Sequence, residues 1–204
     1  MATATLPIQI GPADHGRRLS LAAFVRAEFE EGWLYELARG VVDVTEIPSP
    51  SHGQIVMRLV RLFVHYEMKH PGTIAYQAGG SDCRIRTPGL RSDRHPDQAI
   101  YLTPPPTPGP NVWARWTPDL VVEVVSKGGE KRDYEEKAEE YLRAGIREYW
   151  VVDPFQRRVL IHRREGDTWT RKSVAESAGF RTRLLPGLTV NVGMLIGPST
   201  KRGR

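Results

Sequence analysis

Cysteine is nearly absent from this 204-residue chain, with Cys83 standing alone. One thiol closes no internal disulfide and no cysteine-based zinc site, so a reducing, intracellular setting is expected. Long apolar runs are missing as well. No stretch approaches the roughly 20 apolar residues that cross a bilayer. Met1–Gly16 lacks the basic start and apolar centre of a signal peptide. The expectation is a soluble, cytoplasmic protein without membrane contact. The histidines follow no H-x-x-x-H or related spacing, which argues against a zinc site. No GxGxxG, P-loop or GxSxG element occurs, and no internal repeat.

What remains is an ordinary globular composition, 40% hydrophobic and 26% charged, with a net charge of +5. The excess of base is too small to demand a polyanion by itself. Its distribution is uneven: Arg157, Arg158, Arg163, Arg164, Arg171, Lys172, Arg181 and Arg183 gather in the last third. A solvated face and a nucleic-acid contact are both open for that cluster. The length suits one domain with a proper core. Residues 1–19 read as a loose leader, 20–196 as a single domain and 197–204 as a basic tail ending in Lys201, Arg202 and Arg204.

Ser20 caps a predicted helix through about Glu31, and Trp33–Ile47 reads as a hairpin turning over Ala38-Arg39-Gly40. Ser51 and Gln54 form a capping box for an amphipathic helix that stops before Pro71-Gly72. Short strands are expected near Thr73–Gln77, Asp82–Arg86 and Gln98–Leu102. Five prolines between Thr103 and Pro110 then mark an exposed loop. Leu120–Val125, apolar and β-branched, suits a central strand covered on both faces. Asp133 with Glu136 opens a helix closed by Gly145, and Tyr149–Val152 pairs with Val159–His162. Short β structure then leads to an apolar segment near Leu188–Ile196. Strands and helices alternate only in part, so an α/β fold with a mixed sheet flanked by helices is expected.

Glu123 resists a purely structural reading. It interrupts a run of valines, where an isolated carboxylate costs several kcal/mol unless paired, protonated or bound to a cation. A structural ion pair is one answer. Asp119 shares its strand face but lies about 13 Å away, too far to share one ion. Asp97 opens another strand after a proline, where turn initiation is the plain alternative. Two carboxylates on neighbouring strands can hold a hard divalent ion that activates water and offsets phosphate charge. Lys137 borders the apolar stripe of its helix between Tyr134 and Tyr141, within reach of the sheet. Pairing with Glu136 or Glu140 is its ordinary alternative. His52 faces the sheet from the first turn of its helix, as a core or capping histidine or as a functional one. Ser126 could bind a phosphate or merely end its strand.

The string PDLVVEVVS at Pro118–Ser126, then Lys137, Tyr141 and GIREYWVVDP at Gly145–Pro154, resembles the bacterial Uma2-type family of restriction-endonuclease-like proteins. YELARG at Tyr35–Gly40, PSPSHG at Pro48–Gly53, HPD at His95–Asp97 and LLPGL at Leu184–Leu188 extend the likeness over residues 20–196. The resemblance implies the PD-(D/E)xK nuclease fold, with Pro96-Asp97 as the PD element and Glu123 as the following acid. Val125 stands where that superfamily carries its lysine, and the resemblance transfers this role to Lys137. It also implies Glu36 as a further carboxylate near the ion. The expected activity is a Mg²⁺- or Mn²⁺-dependent endonuclease. Asp97 and Glu123 would bind the metal, Lys137 would serve catalysis, and Glu36, His52 and Ser126 would be accessory. Nucleic acid, with DNA ahead of RNA, is the expected partner, and a homodimer would match two sites to two strands. The alternative is a non-catalytic nucleic-acid-binding or protein-interaction module on the same fold.

Overall fold

A computed structural model describes residues 7–109 and 112–198. Residues 1–6, Pro110 of the proline-rich loop and the basic tail from residue 199 onward lie outside it. The chain begins with β1 (Gln9–Ile10), α1 (Leu21–Val25), β2 (Glu28–Phe29), β3 (Trp33–Ala38) and β4 (Val41–Glu46). A long helix, α2 (Pro50–Lys69), leads to β5 (Tyr76–Ala78), β6 (Ile85–Thr87), β7 (Ser92–Arg94), β8 (Gln98–Tyr101) and β9 (Leu120–Val124). A wide π-turn over Arg132–Glu136 then runs into α3 (Lys137–Ala144). The chain closes with β10 (Glu148–Asp153), β11 (Arg158–Glu165), β12 (Thr168–Ala175), β13 (Gly179–Arg181), β14 (Thr189–Asn191) and α4 (Val192–Ile196).

Six strands form the main sheet in the order β12-β11-β10-β9-β8-β5. Only the β9–β10 pair is parallel, and parallel neighbours need a crossover, which α3 supplies. The expected mixed sheet flanked by helices is therefore what the chain builds. Side chains alternate along β9, and this alternation divides the interior. Leu120, Val122 and Val124 face α2, where Ile55, Leu59 and Phe63 meet Trp150 and Val152. Val121 and Val125 face α3, meeting Ala138, Tyr141, Tyr149 and Val151. Glu123, between them in sequence, points toward α3.

A second sheet, β4-β3-β7-β6, stands beside the first. The hairpin turns at Arg39-Gly40, both with positive φ, as the sequence predicts. Several local expectations are corrected by long-range pairing. The helix after Ser20 ends at Val25 because Glu28–Phe29 pairs in parallel with Gln9–Ile10. Residues 9–19 are accordingly not a loose leader. Ile10 is buried with Phe24 and Leu37, and Leu19 N–H donates to the Gly40 carbonyl. Ser49, not Ser51, caps α2, because Pro50 fits the first helical position. Asp133 lies inside the helical segment rather than capping it, and Leu188–Ile196 ends in a helical turn capped by Asn191.

A carboxylate and lysine floor between two sheets

The site grows from the register of β8 on β9. Gln98 pairs with Val122, so one further step places Asp97 opposite Glu123. Asp97 ends the ladder with its side chain: its Oδ2 accepts the Val124 N–H at 2.7 Å. His52, from the first turn of α2, brings Nε2 within 3.2 Å of the same oxygen and 3.1 Å of the Val124 carbonyl. Burial would lower the pKa of His52, but the Asp97 contact outweighs it and holds the imidazole above its ordinary value. Gly79 lets the chain close over this point. A Cβ there would lie 2.0 Å from the Asp97 carbonyl oxygen.

Glu123 is 3% exposed and meets its partners on α3. Lys137 Nζ donates to Oε1 at 2.9 Å, and the Tyr141 hydroxyl donates to the same atom at 2.5 Å. Those residues lie four apart, hence on one helix face. The π-turn ahead of α3 belongs to a class of helix irregularity common at functional sites. Lys137 also lies 3.3 Å from Glu36 Oε1, so it bridges the two sheets rather than pairing with Glu136 or Glu140. Glu36 is fixed from behind. It accepts the His95 N–H at 2.8 Å and Arg94 Nη1 at 3.1 Å, while Arg94 grips Glu140 through two bonds of 2.9 Å.

Protonation follows from this layout. Burial would raise Glu36, but Lys137 and Arg94 hold it down at about 2. Glu123 behaves oppositely: burial pushes it up, Lys137 pulls against that, and Asp97, Asp133 and Glu36 add to the rise, leaving it near about 7. Lys137 is raised well above its usual value; burial opposes its charge, but Glu123, Glu36 and Asp133 more than compensate. A carboxylate held against other acids is a position where a cation relieves repulsion.

All of Glu36, His52, Asp97, Glu123, Ser126 and Lys137 line one cleft of about 600 Å³. Ser126 accepts a bond from Arg132 at 3.2 Å and stands at the cleft edge. Among the described residues, Glu123 Oε2 and Asp97 Oδ1 have no hydrogen-bond partner, while Oε1 and Oδ2 are taken. No group of three or more His, Cys, Asp or Glu side chains forms a complete metal site among those residues. Two hard oxygens with open positions suit Mg²⁺ or Mn²⁺, which keep several waters and bind through one or two carboxylates plus substrate phosphate.

Arg94, Glu140, Arg132 and Asp133 belong to this network although spacing alone gave no reason to select them. Tyr141 was legible only as part of an apolar stripe. The basic residues of the last third lie elsewhere: none lines the cleft. Arg157 pairs with Glu176, Arg164 with Asp167, and Arg163 donates to the Arg181 carbonyl. No helix among the described residues is long and apolar enough to cross a membrane.

The family model Uma2, described as "putative restriction endonuclease", matches residues 21–193. Among solved structures, a "putative nuclease belonging to DUF820" from Anabaena variabilis is similar, with a TM-score of 0.69 and 16% identity. The match covers 87% of this chain and 97% of that one. At that identity the likeness bears on the fold alone. No curated protein matches the chain.

Proposed function

Because the chain belongs to this restriction-endonuclease family, we propose that it is a divalent-metal-dependent endonuclease hydrolysing phosphodiester bonds of DNA. The observation that carries the reading is the register that sets Asp97 opposite Glu123, with Lys137 bonded to Glu123 at 2.9 Å on the cleft floor. Asp97 and Glu123 would hold Mg²⁺ or Mn²⁺ through their open oxygens. Such an ion supplies a more acidic water and offsets charge developing on phosphate.

The chain's own groups do the rest. Lys137, kept charged by its acidic neighbours, orients the attacking water and balances phosphate charge in a site largely shut from solvent. Glu36 fixes the ammonium from the second sheet, and Tyr141 occupies one oxygen of Glu123 so that the other faces the cleft. His52 steadies Asp97. Ser126 and Arg132 stand where a substrate phosphate would pass.

Plasmid nicking in Mg²⁺ or Mn²⁺ tests the reading, with Glu123→Ala beside the parent chain. Loss of nicking in the variant is expected, and equal cleavage by the two would sink the assignment. A second reading has one observation in its favour. Lys137 already balances the charge of Glu123 and the Tyr141 hydroxyl donates to it, as they would in a non-catalytic nucleic-acid-binding module. That module would bind DNA equally well with and without divalent ions and after Asp97→Ala.

A further inference from the structure

Six acidic side chains among the described residues are almost wholly buried: Asp93, Glu123, Asp133, Glu140, Glu148 and Asp153. Three have both oxygens answered. Arg94 takes both oxygens of Glu140, and Trp150 and Thr182 share those of Glu148. Asp153 accepts the Tyr134 hydroxyl and two backbone N–H groups. A buried carboxylate of purely structural use ends that way, since an oxygen without a partner costs stability. Asp93, Glu123 and Asp133 each keep one oxygen without a protein partner. Asp93 seals its free oxygen inside the protein, whereas Glu123 and Asp133 line the cleft and open theirs to it. The free oxygen of Glu123 serves the ion in the nuclease reading. That of Asp133 has no task yet.

Asp133 lies in the π-turn, about one turn ahead of Lys137. Its carbonyl accepts the Tyr149 hydroxyl at 2.7 Å. Arg132, bonded to Asp133 Oδ1 at 3.2 Å, also reaches Ser126 Oγ at 3.2 Å, just past the end of β9. These ties set Asp133 over the end of the strand that carries Glu123. Their charges meet there, for Asp133 helps to raise Glu123 and Asp97 helps to raise Asp133.

Hydrolysis needs a group to take the proton that the attacking water gives up. Lys137, held in its charged form, has no lone pair for it. Glu36 has both oxygens bonded, and Asp97 and Glu123 are kept for the ion. His52 is turned to Asp97, His95 holds Nδ1 3.1 Å from the Gly80 carbonyl, and Glu46 stands exposed at the end of β4. Asp133 remains. Burial lifts its carboxyl above the ordinary value against the pull of Lys137 and Arg132, which suits a proton acceptor at neutral pH. We propose that Asp133 is the catalytic base of this site, its Oδ2 accepting the proton of the attacking water while Lys137 orients that water. The O–H bond of water breaks toward Asp133 as its oxygen bonds phosphorus. The P–O bond to the leaving oxygen breaks, that oxygen takes a proton from solvent, and Asp133 returns its own to solvent. This rests on the nuclease reading of the cleft and adds the group that completes its proton transfer.

The test compares the parent chain with Asp133→Asn, which keeps an oxygen for Arg132 but accepts no proton. Single-turnover plasmid nicking in saturating Mn²⁺ should slow about 100-fold or more, the usual worth of a general base. Mn²⁺ affinity by calorimetry and plasmid binding in Ca²⁺ should both stay within about twofold, since the lost interaction belongs to the transition state. Asp133→Glu, which restores a carboxylate, should nick about tenfold or more faster than Asp133→Asn. Thermal melts establish that each variant is folded, and the smaller neutral Asp133→Ser carries the same comparison if the asparagine variant unfolds. Nicking by a folded neutral variant at the parent rate overturns the inference. So does a loss of nicking matched by an equal loss of Mn²⁺ affinity, which would make Asp133 a support of the ion, or a glutamate variant no faster than the neutral one. In each of these cases the parent still cleaves and the nuclease reading stands. A parent that cleaves no DNA in Mn²⁺ removes the nuclease reading, and the role of Asp133 falls with it.

Discussion

Lys137 Nζ stands 2.9 Å from Glu123 Oε1, joining a helix to the central strand through two groups that are each 3% exposed. Neither charge is tolerable there alone. Lys137→Met in metal-free protein should therefore cost about 3–5 kcal/mol in urea unfolding, because it strands a buried carboxylate. Pairing it with Glu123→Leu should recover most of that loss, since an apolar pair of similar volume avoids desolvating two charges. The double-mutant cycle measures the coupling directly. Additive losses would show that the two residues do not act as a pair.

Glu123 and Glu36 should leave opposite marks on stability against pH. Glu123 has a folded pKa near about 7, above its ordinary 4.5. Its contribution is fully present below pH 4.5 and is lost as pH rises through 7. Glu36, held at about 2, contributes above pH 4.5 and loses that contribution as pH falls through 2. Thermal melts of metal-free protein should thus show the parent losing ground to Glu123→Gln between pH 4.5 and 7. Mn²⁺ should restore part of it, since metal and proton compete for one carboxylate. A pH-independent difference between parent and variant would contradict this assignment.

Gly79→Ala offers a probe that touches no charged group. The added Cβ would lie 2.0 Å from the Asp97 carbonyl oxygen, which is backbone and cannot swing aside. Displacing that segment should cost about 1–3 kcal/mol, the usual range for overpacking. It should also weaken Mn²⁺ binding in calorimetry. Gly53→Ala, inside α2 with open space around its Cβ, serves as the contrast: it should raise stability by about 0.5–1 kcal/mol and leave Mn²⁺ binding unchanged.

Part of this was legible in the sequence for clear reasons. Glu123 stands out because a charge amid Val121, Val122, Val124 and Val125 demands a partner in any fold. The hairpin and the long helix follow from periodicity and turn residues, which are local. Other features depend on pairings that local patterns do not encode. The early end of α1 is set by a strand partner about 20 residues upstream. Helical spacing gave Lys137 two acidic neighbours on its own helix, and only the second sheet brings Glu36 to it. No local pattern singles out Arg94, the last residue of β7, and only the fold closes Glu140 and Glu36 around it.

The most direct test of a metal-dependent site is anomalous scattering from a crystal soaked in Mn²⁺. The account expects one strong peak between Asp97 and Glu123, lost in Asp97→Ala. A fully soaked crystal with no peak there, or with its manganese bound only elsewhere, would contradict it.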